Sequence, residues 1–179
     1  MQFVKQYKDY GLKDKIPLLG GGTTTDESVL PSMGDEALGT ITALHYSAAL
    51  DNPANKAFTK AFREHAGKSA SYYGENAYDG AKWIVESIKS IDGDVENKEK
   101  LLNAMKNYRM QDAPRGEFVL DKFGNPVQNI YIRKVERVNG ELQNTIIKTY
   151  PKVSQFWTWS PEAYLKQPLY TRDFPPLKE

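Results

Sequence analysis

The stretch IPLLGGGTTTDE, residues 16–27, combines groups that could hold a small molecule directly after an apolar run. Glycines let a ligand approach the backbone, and threonine hydroxyls donate and accept hydrogen bonds. A phosphate-binding P-loop needs the spacing G-x-x-x-x-G-K-[ST], but here no lysine precedes Asp26 and Glu27, whose carboxylates would repel a phosphate. The loop therefore either binds a different ligand or is an ordinary turn from strand to helix. Its candidate ligand-binding residues are Gly21, Gly22, Thr23 and Thr24.

Two pairs of residues with ring side chains are the other candidates for a ligand site. Tyr72 and Tyr73 stand at the start of a predicted long helix, where a ring can stack on a ligand. His45 and Tyr46 end a predicted strand just before a linker, which is where a cleft would open. Because a lone histidine is more often a satisfied structural residue, a structural role for His45 stays open.

Arrangements typical of enzymes and metal sites do not occur in the sequence. There is no cysteine, and the two histidines, His45 and His65, are far apart in sequence without a carboxylate cluster nearby. The nucleophile motif G-x-S-x-G does not occur, and no carboxylate pair has a neighbouring histidine or lysine that suggests proton transfer. We therefore predict no catalytic residue, no metal ion and no cofactor.

The charge balance argues against a dedicated nucleic-acid binder. Lysine and arginine total 24, aspartate and glutamate total 23, and the formal net charge is +1, whereas nucleic-acid-binding domains usually show a clear basic excess. Basic residues of the second half do not share one strand face, so a solvated hairpin is predicted for them. They are Arg133, Lys134, Arg137, Lys148 and Lys152. No apolar run approaches the roughly 18 residues of a membrane span, and the N-terminus does not resemble a signal peptide.

Hydrophobic periodicity predicts an α/β fold in which three consecutive helices separate an α/β unit from a β-hairpin. The predicted elements are a helix ending at Gly11, a buried strand over 15–19, a short helix over 27–33, a strand over 39–46, helices over 53–67, 71–91 and 97–108, and hairpin strands over 127–138 and 142–150. The Asn139-Gly140 dipeptide is a strong hairpin signal. The helix over 71–91 is expected to bury apolar residues that recur at helical spacing. They are Ala77, Tyr78, Ala81, Ile84, Val85 and Ile88.

The ordered segments resemble a known family. FVKQYKDYGLKDKIPLLGGGTTTDESVLPSMGDEALGTITALHYSAALDNPANKAFTKAFREHAGK, followed by AYDGAKWIVESI, is similar to the second half of the branched-chain amino-acid type of ABC-transporter substrate-binding protein, a type I periplasmic binding protein. The segment PRGEFVLDKFGNPVQNIYIRKVERVNGE resembles that family's hairpin. The tail QFWTWSPEAYLKQPLYTRDFPP resembles the subgroup that includes importers of aromatic acids and amide-like compounds. The resemblance covers about half of the family's usual length, without the signal peptide and the first half.

The resemblance implies a partial type I periplasmic-binding-protein fold, with parts of two three-layer α/β lobes around a ligand cleft, a C-terminal β-hairpin and an aromatic tail. Residues 1–47 would belong to the second lobe, and residues 48–52 would cross to the first. Residues 53–151, with three helices and the hairpin, would complete the part of the first lobe. Residues 152–179 would cross back, so that the tail returns to the second lobe.

The resemblance also implies a role in solute import and places the candidate ligand residues on both walls of the cleft. Amino-acid-binding members carry an acidic residue near the position of Gly22 or Thr23, and neither residue is charged. Because an unpaired buried ammonium is costly, we expect an aromatic acid or amide-like ligand and not a free amino acid.

Several further expectations follow from this family. Ligand binding would close the lobes, and the closed form would dock on a membrane permease in the periplasm. A chain without the first half could self-associate through exposed apolar surface. The alternatives are a protein-interaction module that uses the aromatic tail and hairpin, and a small α/β enzyme that uses the Gly/Thr loop.

Overall fold

Local capping signals set the bounds of the main helices in the computed structural model, which describes residues 2–167. The Asn52 side chain accepts a hydrogen bond from the Asn55 amide, Pro53 occupies the first turn, and Gly67 ends the helix with a left-handed φ of 66°. Ser71 and Asn97 cap the next two helices in the same way. The helices are α1 (Gln2–Asp9), α2 (Pro53–Ala66), α3 (Tyr72–Lys89), α4 (Lys98–Asn107) and α5 (Pro161–Leu165).

Six strands form one sheet within residues 2–167. They are β1 (Leu19–Gly21), β2 (Ile41–Leu44), β3 (Arg109–Met110), β4 (Phe118–Leu120), β5 (Pro126–Val138) and β6 (Glu141–Val153). The order is β1-β2-β5-β4-β3, with β6 paired to β5. Only β1 and β2 are parallel among these pairs. Asn139 and Gly140 both have positive φ, 50° and 86°, as a type I′ turn requires, so the predicted hairpin is confirmed.

Two predicted elements near the N-terminus are wrong. The strand expected over 15–19 is displaced to β1, and Ile16 and Leu19 are 54% and 68% exposed. In the described part of the chain β1 has only β2 beside it, so this edge is not covered. The helix expected over 27–33 is replaced by turn residues and one 3₁₀ turn, Leu30–Ser32, and two further 3₁₀ turns flank the range at Gly22–Thr25 and Gly34–Ala37.

Three apolar clusters form the core, and β5 contributes to two of them. The first joins α1, the 3₁₀ turns and β5 through Val4, Leu30, Met33, Ala37 and Val135. The second joins the segment after β2, α2 and β5 through Tyr46, Leu50, Phe58, Ala70 and Tyr131. The third packs α3 against β3 and β4 through Trp83, Met110, Ala113 and Phe118. The strand β5 therefore connects the N-terminal unit with the helical unit.

The helix α3 forms where it was predicted, but it buries a different face. Its buried residues are Glu75, Asp79, Trp83 and Ser87. Ile84 and Val85, which were expected inside, are each 47% exposed, and Tyr78 is 45% exposed. The reason is electrostatic: Glu75 and Asp79 both hydrogen-bond to the buried Arg115, and this pairing turns their face inward.

The hairpin pairs with the N-terminal unit through β5 and β2, with Thr42 opposite Arg133. The described part of the tail packs on the β4–β5 turn, where Phe156 contacts Phe123 and Gln155 donates to Asp121. The assignment of these segments to two lobes stays a prediction. The end of the tail, residues 168–179, lies outside the described residues.

Candidate functional site

The Gly/Thr loop is held by a buried arginine from β5. Arg133 is 0% exposed, and its NH2 group donates to the Gly22 carbonyl over 2.9 Å. Its NH1 group donates to the Tyr46 carbonyl over 2.8 Å, and Nε donates to Thr42 Oγ1 over 3.2 Å. One side chain thus joins the loop after β1 to β2 and to the segment that follows it. The prediction that Arg133 lies on a solvated hairpin is wrong, because its strand face is buried and its guanidinium finds these partners.

Asn144 of β6 supports the same loop from the other strand of the hairpin. Its Nδ2 donates to the Thr25 carbonyl over 2.7 Å and to Glu27 Oε1 over 3.1 Å, and Thr25 Oγ1 donates to its Oδ1 over 2.9 Å. Glu27 Oε1 also lies 3.7 Å from Arg133 NH1. Burial raises the pKa of Glu27, and the guanidinium acts in the opposite direction. The hairpin therefore fixes both ends of the segment 22–27 through buried polar contacts.

Gly22 is required by close packing, whereas Gly21 is not. A Cβ atom on Gly22 would lie 2.5 Å from Leu44 Cδ1, but a Cβ on Gly21 would meet nothing within 4 Å. Thr23 is exposed and Thr24 is half-buried, so they and Gly21 are the loop candidates that a ligand could reach. The loop is a tight 3₁₀ turn that Arg133 and Asn144 hold on its buried side, and its outer surface is exposed to solvent.

His45, Tyr72 and Tyr73 lie in one row of rings. The His45 and Tyr72 rings meet edge to face with centroids 6.1 Å apart, and the Tyr72 and Tyr73 centroids are 4.0 Å apart. A hydrogen bond with Tyr73 raises the pKa of Tyr72 to about 12, so its phenol is neutral at pH 7. The Tyr72 amide donates to Asp26 Oδ2 over 3.3 Å, which links this row to the Gly/Thr loop.

Tyr46 differs from the other candidates because its ring lies in the core. It is 0% exposed, and its hydroxyl donates to Asn55 Oδ1 over 3.0 Å. Only its carbonyl takes part in the Arg133 contacts. The structure therefore brings seven of the eight predicted residues to one region and places the eighth side chain, Tyr46, beneath it.

A buried charge cluster lies behind His45. His45 Nε2 is 3.8 Å from Glu75 Oε2, and Arg115 Nε donates to Glu75 Oε1 and to Asp79 Oδ2 over 2.7 and 3.0 Å. Burial, together with the positive charge of Arg115, lowers the pKa of His45 to about 4. Burial also raises the pKa of Glu75 to about 9. His45 is therefore a neutral, largely buried ring, which fits the structural role left open for it.

The supporting residues Arg133, Asn144 and Arg115 were not predicted as part of the site. The alternation Tyr131, Arg133, Val135 along a predicted strand was the available signal, because it places the arginine on an apolar face. Nothing in the sequence alone points to Asn144. Residues 2–167 contain no group of three or more possible metal ligands and no helix with the length and hydropathy of a membrane span.

Comparison with known proteins identifies the family of the chain. A family model described as periplasmic binding protein matches residues 1–141. The chain belongs to the periplasmic binding protein family. Its α/β architecture covers part of the type I fold of that family, as the sequence resemblance predicted. This is a family of solute-binding proteins of ABC transporters and not of enzymes.

Three relatives illustrate the match. Leu/Ile/Val-binding protein homolog 6 from Brucella abortus (strain 2308) is 36% identical over 155 residues, covering 84% of this chain and 39% of the relative. An ABC transporter substrate-binding protein from Sphaerobacter thermophilus is 36% identical with a TM-score of 0.80, covering 84% of this chain and 41% of the other. A solute binding protein of an ABC transporter from Rhodopseudomonas palustris BisB5, in complex with 3,4-dihydroxy benzoic acid, is 38% identical with a TM-score of 0.79. The match covers 86% of this chain and 42% of the other. The chain thus spans less than half the length of these relatives.

Proposed function

We propose that this periplasmic binding protein contributes part of a site for an aromatic acid or amide-like compound. The observation that carries the proposal is the row of rings His45, Tyr72 and Tyr73, linked to the Gly/Thr loop through Asp26. Such a row offers stacking and edge contacts to an aromatic ring, and Thr23 and Thr24 offer hydroxyl donors to a carboxylate. The aromatic ligand of the Rhodopseudomonas palustris relative supports the same class.

Asp26 supports the exclusion of a free amino acid. Its Oδ1 accepts hydrogen bonds from the Ser28 amide, over 3.0 Å, and from the Ser28 hydroxyl. Its Oδ2 accepts from the Tyr72 amide. An ammonium group placed here would compete with these donors, and Gly22 and Thr23 carry no charge. The name of the Brucella abortus relative suggests branched-chain amino acids, so the ligand class requires a direct test.

The wider role follows from the family and extends beyond the part of the fold that this chain covers. In this proposal the solute closes two lobes, and the closed form docks on the permease of an ABC importer. The protein acts in the periplasm, performs no chemistry on the solute and uses no cofactor. Its partners are the solute and the permease, and it does not bind nucleic acid.

Titration calorimetry on the 179-residue chain with 3,4-dihydroxybenzoate and with leucine tests this proposal. We expect binding of the aromatic acid and none of leucine. Tyr73→Ala, at a site 63% exposed, should weaken binding of the aromatic acid by roughly 2- to 12-fold, since stacking contributes about 0.5–1.5 kcal/mol. Tyr10→Ala, at a site 79% exposed on another element, is the matched control. Binding of leucine without a response to the aromatic acid, or no binding of either, contradicts the proposal.

A further inference from the structure

A groove separate from the proposed solute site runs between the end of α2 and the β5–β6 turn. It consists of two adjoining cavities of about 340 and 480 Å³, a size typical of small-molecule sites. Both cavities are lined by Glu27, Arg63, Ser69, Glu141 and Leu142. None of the eight residues predicted to bind the solute lines either cavity. A ligand in this groove would therefore occupy a second site.

The groove contains a buried carboxylate with one unpartnered oxygen. The Glu27 side chain is 7% exposed. Its Oε1 accepts from the Ala48 amide over 3.2 Å and from Asn144 Nδ2 over 3.1 Å. Its Oε2 is buried and has no hydrogen-bond partner among residues 2–167. Because an unsatisfied buried oxygen is costly, this atom is the point at which a ligand gains most from a hydrogen bond.

The surroundings of Glu27 select the chemical group that would fit there. Arg133 NH1 lies 3.7 Å from Oε1 and already balances the charge of the ionised carboxylate, so a ligand ammonium would add a second cation. Burial raises the pKa of Glu27, and a proton taken up would sit on Oε2, since Oε1 is occupied by donors. A hydroxyl group suits both states, because it donates to the carboxylate and accepts from the carboxylic acid.

The rim of the groove favours an anion. Four cationic side chains line the two cavities, and the acidic side chains beside them are Glu27 and Glu141. The cations are Lys60, Arg63, Lys68 and Arg137. Arg137 is paired with Asp35 and Lys60 with Glu64, whereas Arg63 is exposed and its NH2 group donates to the neutral Ser69 Oγ over 3.0 Å. Arginine binds carboxylates through two parallel hydrogen bonds, so Arg63 can hold the acidic end of a ligand.

We propose that this groove binds a small hydroxy acid, with its hydroxyl at Glu27 Oε2 and its carboxylate at Arg63. Ala49 and Leu142 line the same cavity and offer apolar contacts to the carbon atoms of such a ligand. The site needs no part of the row His45, Tyr72 and Tyr73, so it does not depend on the proposed solute site.

Amide chemical shifts of the ¹⁵N-labelled 179-residue chain, titrated with lactate and with propionate, test the proposal. The two acids differ by the hydroxyl group alone. We expect saturable shifts at Ala49, Ser69 and Leu142, and lactate should bind about tenfold more tightly than propionate through its extra hydrogen bond. Arg63→Ala should weaken the binding of both acids by a similar factor and keep the ratio of their affinities. Arg109→Ala, at an exposed arginine on β3, is the control and should change neither affinity.

Glu27→Leu provides the second arm, because it removes both carboxyl oxygens and leaves an apolar side chain of similar length. The ratio of lactate to propionate affinity should then fall towards one. If this variant does not fold, the ligand pair and Arg63→Ala still decide the question. Equal affinities in the unsubstituted chain, no saturable shift, or shifts centred on Thr23 and Tyr73 would each overturn the proposal. None of these outcomes depends on binding of an aromatic acid at the other site.

Discussion

Gly22 shows how a single backbone position connects the sequence motif to the geometry of the site. The glycine run indicates that the backbone approaches another group closely. In the structure the loop packs against Leu44 of β2 at Gly22, whereas a Cβ on Gly21 would lie in open space. In this position the Gly22 carbonyl accepts from Arg133, and a side chain at Gly22 would clash with Leu44. The residue is thus needed for packing, and its effect on the ligand is indirect.

Gly22→Ala and Gly21→Ala form a matched pair for this packing. The first change places a methyl group 2.5 Å from Leu44 Cδ1, and overpacking of this kind costs about 1–3 kcal/mol of unfolding free energy. The second places it in open space and should change the unfolding free energy by less than about 0.5 kcal/mol. Urea unfolding measures both values. A Gly21→Ala effect as large as that of Gly22→Ala would contradict this account of the loop.

His45 should make the stability of the protein depend on pH below its ordinary pKa. The pKa is 6.5 when unfolded and about 4 in the fold, so between these values the unfolded chain binds more protons. Stability therefore falls as the pH drops from 6.5 to 4, by about 3 kcal/mol at 1.36 kcal/mol per unit. Urea unfolding measures the unfolding free energy across this pH range. Its fall from pH 6.5 to pH 4 should be about 3 kcal/mol smaller in His45→Gln than in the unsubstituted chain.

The control for this pH dependence is His65→Gln, which removes an imidazole from the exposed last turn of α2. Glu75 acts in the opposite direction, because its raised pKa of about 9 makes its contribution fade as the pH rises. Comparing each variant with the unsubstituted chain at the same pH isolates the histidine. A profile for His45→Gln that parallels the unsubstituted chain from pH 6.5 to 4 would show that His45 is not held neutral.

The helices and strands were more predictable than the faces they bury. Asn52, Pro53 and Gly67 bound α2 through local chemistry, and Asn139-Gly140 fixes the hairpin turn, so both were visible in the sequence. The buried face of α3 depends on Arg115, which lies beyond α4 in the sequence. The candidates His45, Tyr72 and Tyr73 do come together, but the residues that hold the loop are contributed by the distant strands β5 and β6. Alternation along β5 places Arg133 on an apolar face, but no periodic signal shows which distant groups it or Asn144 pairs with.

The strand β5 allows its two faces to be compared at adjacent positions. Arg133→Met leaves the Gly22 and Tyr46 carbonyls and Thr42 Oγ1 without their donor, and breaking a buried charged network costs about 3–5 kcal/mol. Lys134→Met, at a side chain 42% exposed and paired with Glu136, should cost less than about 0.5 kcal/mol. Urea unfolding measures both. Arg133→Lys should fall between them, because an ammonium cannot reproduce the forked contacts of a guanidinium.

The opposite result would have a clear meaning for β5. If Arg133→Met and Lys134→Met destabilise the protein equally, the guanidinium is not the link between the hairpin and the Gly/Thr loop. The proposed solute site would then have to be positioned by Asn144 and the apolar core around Tyr46 alone.

The molecule as a whole combines a continuous sheet with apolar side chains that remain open to solvent. Ile84 and Val85 on α3, Leu102 on α4 and Leu19 on β1 are between 47% and 68% exposed. The relatives are more than twice as long as the part matched here, with 39–42% of their length covered. Exposed apolar surface of this kind commonly marks an interface. We propose that the chain self-associates through these faces when it is studied alone.

Sedimentation velocity over a concentration series measures this self-association. The weight-average sedimentation coefficient of the unsubstituted chain should rise with concentration. The double change Ile84→Lys and Val85→Lys should reduce that rise, because two charges cannot be desolvated in an apolar contact. Asn103→Lys with Gln111→Lys adds the same charge at exposed polar sites and should leave the rise in place. If both double variants reduce it equally, net charge and not the α3 face controls association, since charge repulsion alone would then account for the effect.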